Sequence, residues 1–181
     1  DDYPGAAGVF AYGGSIENFV NTGRIEVSGN ATSDVYVDGV FVEYGIGNFT
    51  NGLGGTILVS AISNGQSSYA SVYGVEVWGD IGNFTNNGNI TVTANATGGY
   101  VYNFNDDYPG AAGVFAYGGS IENFVNTGRI EVSGNATSDV YVDGVFVEYG
   151  IGNFTNGLGG TILVSAISNG QSSYASVYGV E

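Results

Sequence analysis

Hydrophobic and polar residues alternate over short segments of the chain, and clusters of Gly, Asn, Asp and Ser separate these segments. Residues 35–37, 40–44 and 90–93 are examples rich in Val, Ile, Phe, Tyr and Thr, which favour strands. The intervening clusters contain residues that form turns or accept left-handed backbone. No stretch of ten residues has the spacing of an amphipathic helix. The pattern therefore predicts short β-strands joined by turns, with no helix longer than one turn.

The chain is built from a long repeat. Residues 1–76 recur without substitution as residues 106–181, so residues 1–105 form one complete unit and a partial second unit follows. Each 105-residue unit divides into three sub-repeats, in which a Gly-Val pair precedes an Ile-x-Asn-Phe-x-Asn block and then a strand. Successive Gly-Val pairs are 31, 35 and 39 residues apart, and most of the variation follows that strand. Fixed strands with a variable loop on one side are typical of stacked repeats.

Two all-β architectures have the size of a 105-residue unit. One is a string of separate sandwich domains, and the other is a parallel β-solenoid, or β-helix, with one coil per sub-repeat of roughly 35 residues. Because a sandwich has no reason to repeat one block three times, the pattern favours the solenoid. It predicts three coils per unit, with residues 1–181 as a single continuous segment. Adjacent coils would lie about 4.8 Å apart, so that one unit rises by roughly 14 Å.

In such a solenoid, the repeated block predicts three columns of stacked side chains along the axis. Stacked amides donate and accept hydrogen bonds between coils, as they do in cross-β assemblies. The first Asn of the block forms a ladder that we interpret as facing inward, made of Asn18, Asn48, Asn83, Asn123 and Asn153. The second Asn forms another ladder, made of Asn21, Asn51, Asn86, Asn126 and Asn156. The intervening Phe forms an aromatic column, made of Phe19, Phe49, Phe84, Phe124 and Phe154.

The charge balance excludes two classes of partner. The chain has 17 acidic residues against Arg24 and Arg129, with no Lys or His, which gives a net charge of -15. Nothing supplies the phosphate neutralisation that binding to nucleic acid or to an anionic membrane surface needs. Glu17 and Glu26 align with uncharged residues in the next coils, so stacking brings no like charges directly together in these strands.

The composition also bears on chemistry and location. The absence of Cys, His and Met leaves no thiol chemistry or disulfide framework. No apolar run is long enough to span a membrane. Glu17 and Glu26 fall on different strands without an obvious partner, whereas a retaining glycosidase needs two carboxylates about 5–5.5 Å apart. We therefore expect no enzyme, and the abundance of Gly, Asn, Ser and Thr predicts a secreted, extracellular protein of the cell surface.

Residues 8–32 carry a resemblance to a known group of proteins. With their Gly-Val-Phe, Ile-Glu-Asn-Phe-Val-Asn and Arg-Ile-Glu-Val segments, they resemble repeats of bacterial autotransporter passengers and filamentous-haemagglutinin-type adhesins. Those families build right-handed parallel β-helices that are exported to the cell surface. The identical copies are more similar to giant, highly repetitive surface proteins. The resemblance implies a stalk, adhesin shaft or filament whose partners are further copies of itself, along the array or laterally.

One loop stands out as a candidate metal site. Residues 103–110 form the longest excursion and concentrate oxygen atoms, which hard cations such as Ca²⁺ prefer as ligands. The candidate calcium ligands are Asn103, Asn105, Asp106 and Asp107. An ordinary turn stabilised by Asn, Asp and Pro is the alternative interpretation. Asp34 and Asp38 form a second, weaker acidic cluster, and no other cofactor is indicated.

Asn-x-Thr sequons, the acceptors of N-linked glycans in some secreted proteins, occur seven times. Those at Asn48, Asn83 and Asn153 belong to the ladder interpreted as inward, where a glycan would not fit. The candidate acceptors lie in segments predicted as loops and are Asn30, Asn95 and Asn135.

Tyrosine occurs 14 times and clusters in the variable strands that flank the loops. Tyr combines a flat apolar ring with a polar hydroxyl, so these residues either fill a wide coil or present an exposed face for sugars or for the lateral packing of fibres. The second interpretation supports an alternative function. The chain would then be a surface binding module that holds extracellular glycans or calcium through its Tyr- and Asp-rich loops.

Overall fold

A computed structural model of the chain describes residues 3–103 and 108–181. In this part of the chain there are sixteen β-strands and no helix, as the sequence predicts. The strands are β1 (Ala6–Ala11), β2 (Ile16–Asn21), β3 (Arg24–Ala31), β4 (Val35–Val42), β5 (Ile46–Asn51), β6 (Thr56–Ser63), β7 (Ala70–Trp78), β8 (Ile81–Asn86), β9 (Asn89–Ala96), β10 (Ala111–Tyr117), β11 (Ile121–Asn126), β12 (Arg129–Ala136), β13 (Val140–Val147), β14 (Ile151–Asn156), β15 (Thr161–Ser168) and β16 (Ala175–Val180).

The strands form three parallel sheets that run along one axis. Sheet A has the order β1-β4-β7-β10-β13-β16, sheet B the order β14-β11-β8-β5-β2, and sheet C the order β15-β12-β9-β6-β3. Each coil of the chain therefore adds one strand to sheet A, one to sheet B and one to sheet C. This is a parallel β-solenoid of about five coils, which confirms the predicted fold class.

The coils stack in register because the repeated block pairs with itself. Ile16 pairs with Ile46 and Phe19 with Phe49 in the first unit, and Ile121 pairs with Ile151 in the second. The two units also join in register, since β7 of the first pairs with β10 of the second over six residues of each strand. Sequence identity between units is thus matched by identical pairing between coils.

The core lies between the three sheets and is almost entirely aliphatic and aromatic. Sheet C contributes Ile and Val, sheet B contributes Ile and Phe, and sheet A contributes Val. The central coils illustrate this, since Ile90, Val92, Phe84, Ile81 and Val75 are fully buried. Burying such a side chain stabilises a fold by about 1.5–3 kcal/mol. Because every coil buries its own set of Ile, Val and Phe, each added coil contributes to stability.

The Gly of the Gly-Val pair allows sheet A to approach sheet C closely. A Cβ atom at Gly74 would lie 2.5 Å from Cγ2 of Ile90 and 2.6 Å from the carbonyl oxygen of Gly113. The corresponding glycines of the other coils meet the Ile of their own sheet C strand in the same way, and they are Gly8, Gly39, Gly113 and Gly144. Because real Cβ atoms do not approach neighbours this closely, packing explains why this glycine recurs.

The variable part of each coil is the corner between sheet C and sheet A. Within the described residues, this corner comprises residues 32–34, 64–69, and 97–103 with 108–110 in the three coils of a unit. The strands on either side keep their register with neighbouring coils despite the different lengths. The difference in length between coils is therefore confined to this corner and leaves the strand register unchanged, as the spacing of the Gly-Val pairs predicts.

Candidate functional site

The second Asn of the block forms a buried ladder at the corner between sheets B and C. Asn51, Asn86 and Asn126 are fully buried, and Asn21 is 7% exposed. Each side-chain nitrogen donates to the amide oxygen of the next coil over 2.7–2.9 Å, from Asn21 through to Asn156. The same nitrogen of Asn86 also lies 3.3 Å from the carbonyl oxygen of Arg129, at the start of a sheet C strand. The ladder thus satisfies polar groups inside the core and ties two sheets together.

The first Asn of the block forms a second ladder, and the interpretation of this ladder as facing inward was wrong. Asn18, Asn48, Asn83 and Asn153 are exposed, and Asn123 is half-buried. Side chains alternate between the two faces of a strand, so the residue before an inward Phe points outward, and the second residue after it points inward. The outer ladder is nevertheless continuous, with N–O distances of 2.8–2.9 Å between successive amides.

The Phe column lies between the two ladders and faces the core. Successive rings stack nearly parallel, with centroid distances of 4.6–5.0 Å from Phe19 through to Phe154. Phe49, Phe84 and Phe124 are buried. Offset stacking of such rings adds about 0.5–1.5 kcal/mol per pair beyond their burial. The column therefore forms a continuous aromatic spine along sheet B.

Sheet A carries a buried carboxyl pair that sequence reasoning missed. Asp38 of β4 and Glu76 of β7 are 0% and 2% exposed. Glu76 accepts hydrogen bonds from the hydroxyl group of Tyr36 and, over 2.5 Å, from the indole nitrogen of Trp78. Neither carboxyl oxygen of Asp38 has a hydrogen-bond partner within the described residues. One feature of the sequence points to this pair: both carboxyls lie in strands whose inward positions are filled by Val.

Burial determines the protonation of this pair. It raises the pKa of Glu76 to about 7, against the opposing effect of the hydrogen bonds from Tyr36 and Trp78. Burial, followed by the charge of Glu76, raises the pKa of Asp38 well above its usual range. The second unit repeats the arrangement: burial and then Glu181 raise the pKa of Asp143 to about 8, and Tyr141 donates to Glu181 over 2.9 Å. The pair of Asp38 and Glu76 therefore retains protons near neutral pH.

Aromatic residues at the start of each unit cover the outer face of sheet A. Tyr108 packs edge-on against Phe115 and Phe146, with centroid distances of 5.9 and 5.7 Å. Its copy, Tyr3, packs edge-on against Phe10 and Phe41, at 6.4 and 6.0 Å. The repeated contact shows that this covering is part of the unit.

The corner between sheets C and A forms a cavity of about 280 Å³ lined by tyrosine. Its lining residues are Tyr69, Tyr100, Tyr102, Asp139 and Tyr174. Tyr69 and Tyr100 stack with their ring centroids 5.2 Å apart. Tyrosine does not fill the coil in the predicted way: Tyr73 is fully buried in the separate cluster on the outer face of sheet A. A role of the other tyrosines in binding sugars stays a prediction.

Most of the predicted calcium ligands, namely Asn105, Asp106 and Asp107, lie outside the described residues. Asn103 is described, and its side-chain nitrogen donates to the hydroxyl of Tyr73 over 2.8 Å. Asp34 and Asp38 do not form the predicted acidic cluster: Asp34 is exposed and accepts from the backbone nitrogen of Tyr69, whereas Asp38 is buried. Residues 3–103 and 108–181 contain no group of three acidic, His or Cys side chains arranged to hold a metal ion.

The candidate glycan acceptors are in strands and not in loops, which corrects their predicted location. Asn30, Asn95 and Asn135 lie near the ends of β3, β9 and β12, where side chains alternate between core and solvent. Asn30 and Asn135 are exposed and Asn95 is half-buried, so all three are on the outer face of sheet C. The amide oxygen of Asn30 accepts from Asn64 over 2.8 Å.

The exposed carboxylates of the strands are paired or isolated. Glu26 forms an ion pair with Arg24 at 2.8 Å, and its copy Glu131 pairs with Arg129 at 3.0 Å. Glu17 lies exposed on sheet B, on a different strand from Glu26.

The fold and its side-chain columns define the chain as a parallel β-solenoid with one buried and one outer amide ladder. Comparison with protein-family models, curated proteins and solved structures finds no match. Within the described residues, no helix is long and apolar enough to cross a membrane.

Proposed function

We propose that the chain is a segment of a long, rigid, non-catalytic shaft on a cell surface, serving as a stalk, adhesin shaft or filament. The observation that carries this proposal is the register between the two units. Because β7 pairs with β10 as regularly as strands pair within a unit, each further copy extends the three sheets without interruption. Length can then grow by duplication, and length is the property that a shaft needs.

The mechanism of the shaft is mechanical. Hydrogen bonds of the three sheets run along the axis, and bending the axis would have to stretch the outer side of every sheet. The buried Asn ladder and the Phe column add side-chain contacts along the same axis. The net charge of -15 keeps neighbouring shafts apart and soluble through mutual repulsion. The partners in this proposal are further copies of the chain, and the resemblance to exported β-helical adhesins supports a location outside the cell.

The experiment is cryo-EM imaging of arrays of four and eight 105-residue units. We expect axial repeats near 4.8 Å and roughly 14 Å, and a contour length that doubles with the number of units. Straight particles whose end-to-end distance equals the contour length would support a shaft. Flexible strings with a bead spacing of about 40 Å would instead indicate separate domains and overturn the proposal.

A second function, a surface binding module, is favoured by one observation, the tyrosine-lined cavity. This cavity lies at the corner that varies in length, away from the recurring inward residues of sheets B and C. A binding role there is compatible with the shaft, because corner residues can change without altering the stack.

A further inference from the structure

We propose that the cavity lined by Tyr69, Tyr100, Tyr102, Asp139 and Tyr174 is an aromatic cage that binds an alkylated ammonium group. This inference is independent of the shaft proposal, because the cage needs only the few successive coils that contribute its lining and not a long array. It rests on the geometry of the cavity and on the charge of Asp139.

The lining side chains come from successive coils at one axial position. Tyr69 and Tyr100 form a parallel bridge, and Asp139 precedes Val140, which pairs with Val101 below it and Ala175 above it. Asp139 therefore lies in the layer between Tyr100 and Tyr174. These two tyrosines are two layers apart, or about 9.6 Å, so a small side chain occupies the layer between two large ones.

The backbone holds this arrangement before any ligand arrives. The backbone nitrogen of Tyr100 donates to the carbonyl oxygen of Ser68 over 2.8 Å. The backbone nitrogen of Val140 donates to the carbonyl oxygen of Tyr174 over 3.0 Å. The hydroxyl groups of Tyr102 and Tyr174 lie 3.4 Å apart. A site fixed in this way loses little conformational entropy on binding, which favours affinity.

The charge of the cavity identifies the chemical class of the ligand. Asp139 accepts one hydrogen bond, through Oδ1 from the backbone nitrogen of Tyr174 over 3.0 Å. The chain has no Lys or His, and both of its Arg residues pair with Glu26 and Glu131. Within the described residues, which include both Arg, no cationic side chain is thus placed to neutralise Asp139. A cation from outside would meet a carboxylate and several electron-rich ring faces together.

The size of the cavity favours an alkylated over a simple ammonium ion. A cation midway between the layers of Tyr100 and Tyr174 would lie about 4.8 Å from each, within the ~6 Å over which ring faces attract cations. A volume of about 280 Å³ exceeds the need of a bare ammonium group but accommodates one that carries methyl groups. Aromatic cages recognise such groups because the methyl groups contact the rings and the ring faces attract the positive charge.

The test is an NMR titration of the 181-residue chain with choline and with its uncharged isostere 3,3-dimethylbutan-1-ol. We expect saturable shifts of tyrosine ring signals with choline, and at least about 10-fold weaker binding of the isostere. Equal affinities would overturn the proposal, because they would show an apolar cavity with no preference for charge. The absence of any saturable shift with choline would overturn it as well.

Matched variants place the binding in the cage. Asp139→Asn retains an oxygen that can accept from Tyr174 but removes the charge, and we expect it to weaken choline binding about 10-fold. Asp34→Asn is the control, since Asp34 is the copy of Asp139 in the first unit, accepts from Tyr69 in the same way and does not line the cavity. It should change the affinity less than two-fold. Equal effects of both variants would contradict the assignment.

Two further ligands show where the ammonium group comes from and test whether the cavity binds a neutral sugar instead. Trimethyl-lysine amide represents a modified protein side chain, and choline represents a lipid or polysaccharide headgroup; tighter binding of either supports the cage and identifies the source. Methyl β-glucopyranoside represents a neutral sugar. If the sugar binds more tightly than either cation, and Asp139→Asn leaves choline binding unchanged, the cavity is a saccharide site and the proposal is wrong.

Discussion

Asn83 and Asn86 lie on one strand and donate their amide hydrogen bonds in opposite directions along the solenoid axis. Asn83 donates towards the preceding coil, to Asn48 over 2.8 Å, and Asn86 donates towards the following coil, to Asn126 over 2.8 Å. The same opposition holds along both ladders, so the amide dipoles of one ladder offset those of the other. A solenoid with one ladder alone would accumulate a dipole with each added coil.

The two ladders should differ sharply in their tolerance of a charge. Asn86→Asp would place a carboxylate beside the oxygens of Asn126 and Arg129 in the core, and we expect it to lower the free energy of unfolding by about 3 kcal/mol or more. Asn83→Asp makes the same change on the outer face, where water solvates the charge, and should cost about 1 kcal/mol. Chemical denaturation of both variants measures the difference; equal losses would contradict the assignment of inner and outer ladders.

The Phe column should be most sensitive at its centre. Phe84 is fully buried and stacks on Phe49 at 4.6 Å and on Phe124 at 5.0 Å, so we expect Phe84→Ala to cost about 3–5 kcal/mol. Phe154 is 42% exposed and stacks on Phe124, and Phe154→Ala should cost less than half as much in the same chain. Thermal unfolding followed by circular dichroism compares the two. A similar drop in Tm for both would show that the column does not act through burial.

Stability should fall as the pH rises from about 4.5 to 8, because of the buried carboxyls of sheet A. An acid whose pKa is raised in the folded state binds more protons folded than unfolded, so its stabilising effect is lost as the pH passes from the unfolded pKa to the folded one. For Glu76, with a folded pKa of about 7, this amounts to roughly 3 kcal/mol. The measurement is the free energy of unfolding at several pH values.

A pair of variants isolates this pH dependence. Glu76→Gln keeps the shape and the acceptor for Tyr36 or Trp78 but cannot ionise, so we expect a shallower fall in stability with pH and a more stable protein at pH 8. Glu17→Gln removes a carboxylate from the exposed face of sheet B and should leave the slope unchanged. A slope that responds equally to both variants would mean that the net charge, and not the buried pair, determines it.

Gly74 should be intolerant of a methyl group. Gly74→Ala would place Cβ against Ile90 and the carbonyl of Gly113, which forces sheet A away from sheet C and should cost about 1–3 kcal/mol. Gly23→Ala is the control, because no atom lies within 4 Å of a Cβ at that position. We expect the control to unfold within about 0.5 kcal/mol of the parent chain. Matching stabilities for the two variants would show that the sheets can separate at no cost.

The sequence predicts the solenoid, its three coils per unit and the variable corner, because residues that recur at a regular spacing occupy equivalent positions in successive coils. The direction in which each side chain points was harder to predict. Asn18 and Asn21 flank the same Phe and look equivalent in the sequence, and only the two-residue alternation about Phe19 separates an outer residue from an inner one. Gly and Asn near Asn30 predict a loop at this position, whereas the pairing of Asn30 with Ile62 extends the strand through it.

The buried carboxyl pair could not be predicted from local pattern. Asp38 and Glu76 are far apart in sequence, and an acidic residue in a strand normally indicates a solvent-exposed face. The outer face of sheet A is covered by aromatic residues such as Tyr36 and Tyr73, which come from the sheet itself and pack in one cluster with Tyr108. Tyr36 is close to Asp38 in the sequence, but the covering is completed by side chains from other coils, such as Tyr73, which local pattern does not reveal.

The outer face of sheet A has a consequence for how such a gene can change its length. Sheet B repeats the Ile-x-Asn-Phe-x-Asn block in every coil, and sheet C repeats its inward Ile and Val. A recombination event that joined two copies out of phase by one coil would therefore keep these inward contacts. In sheet A, the same event would place a different residue in the layer next to Asp38 and misplace the covering tyrosine. Recombination therefore preserves the packing of sheet A only when it adds or removes whole units of 105 residues, each of which changes the length of the solenoid by about 14 Å. Lineages that carry this array should differ in length by integers of that step.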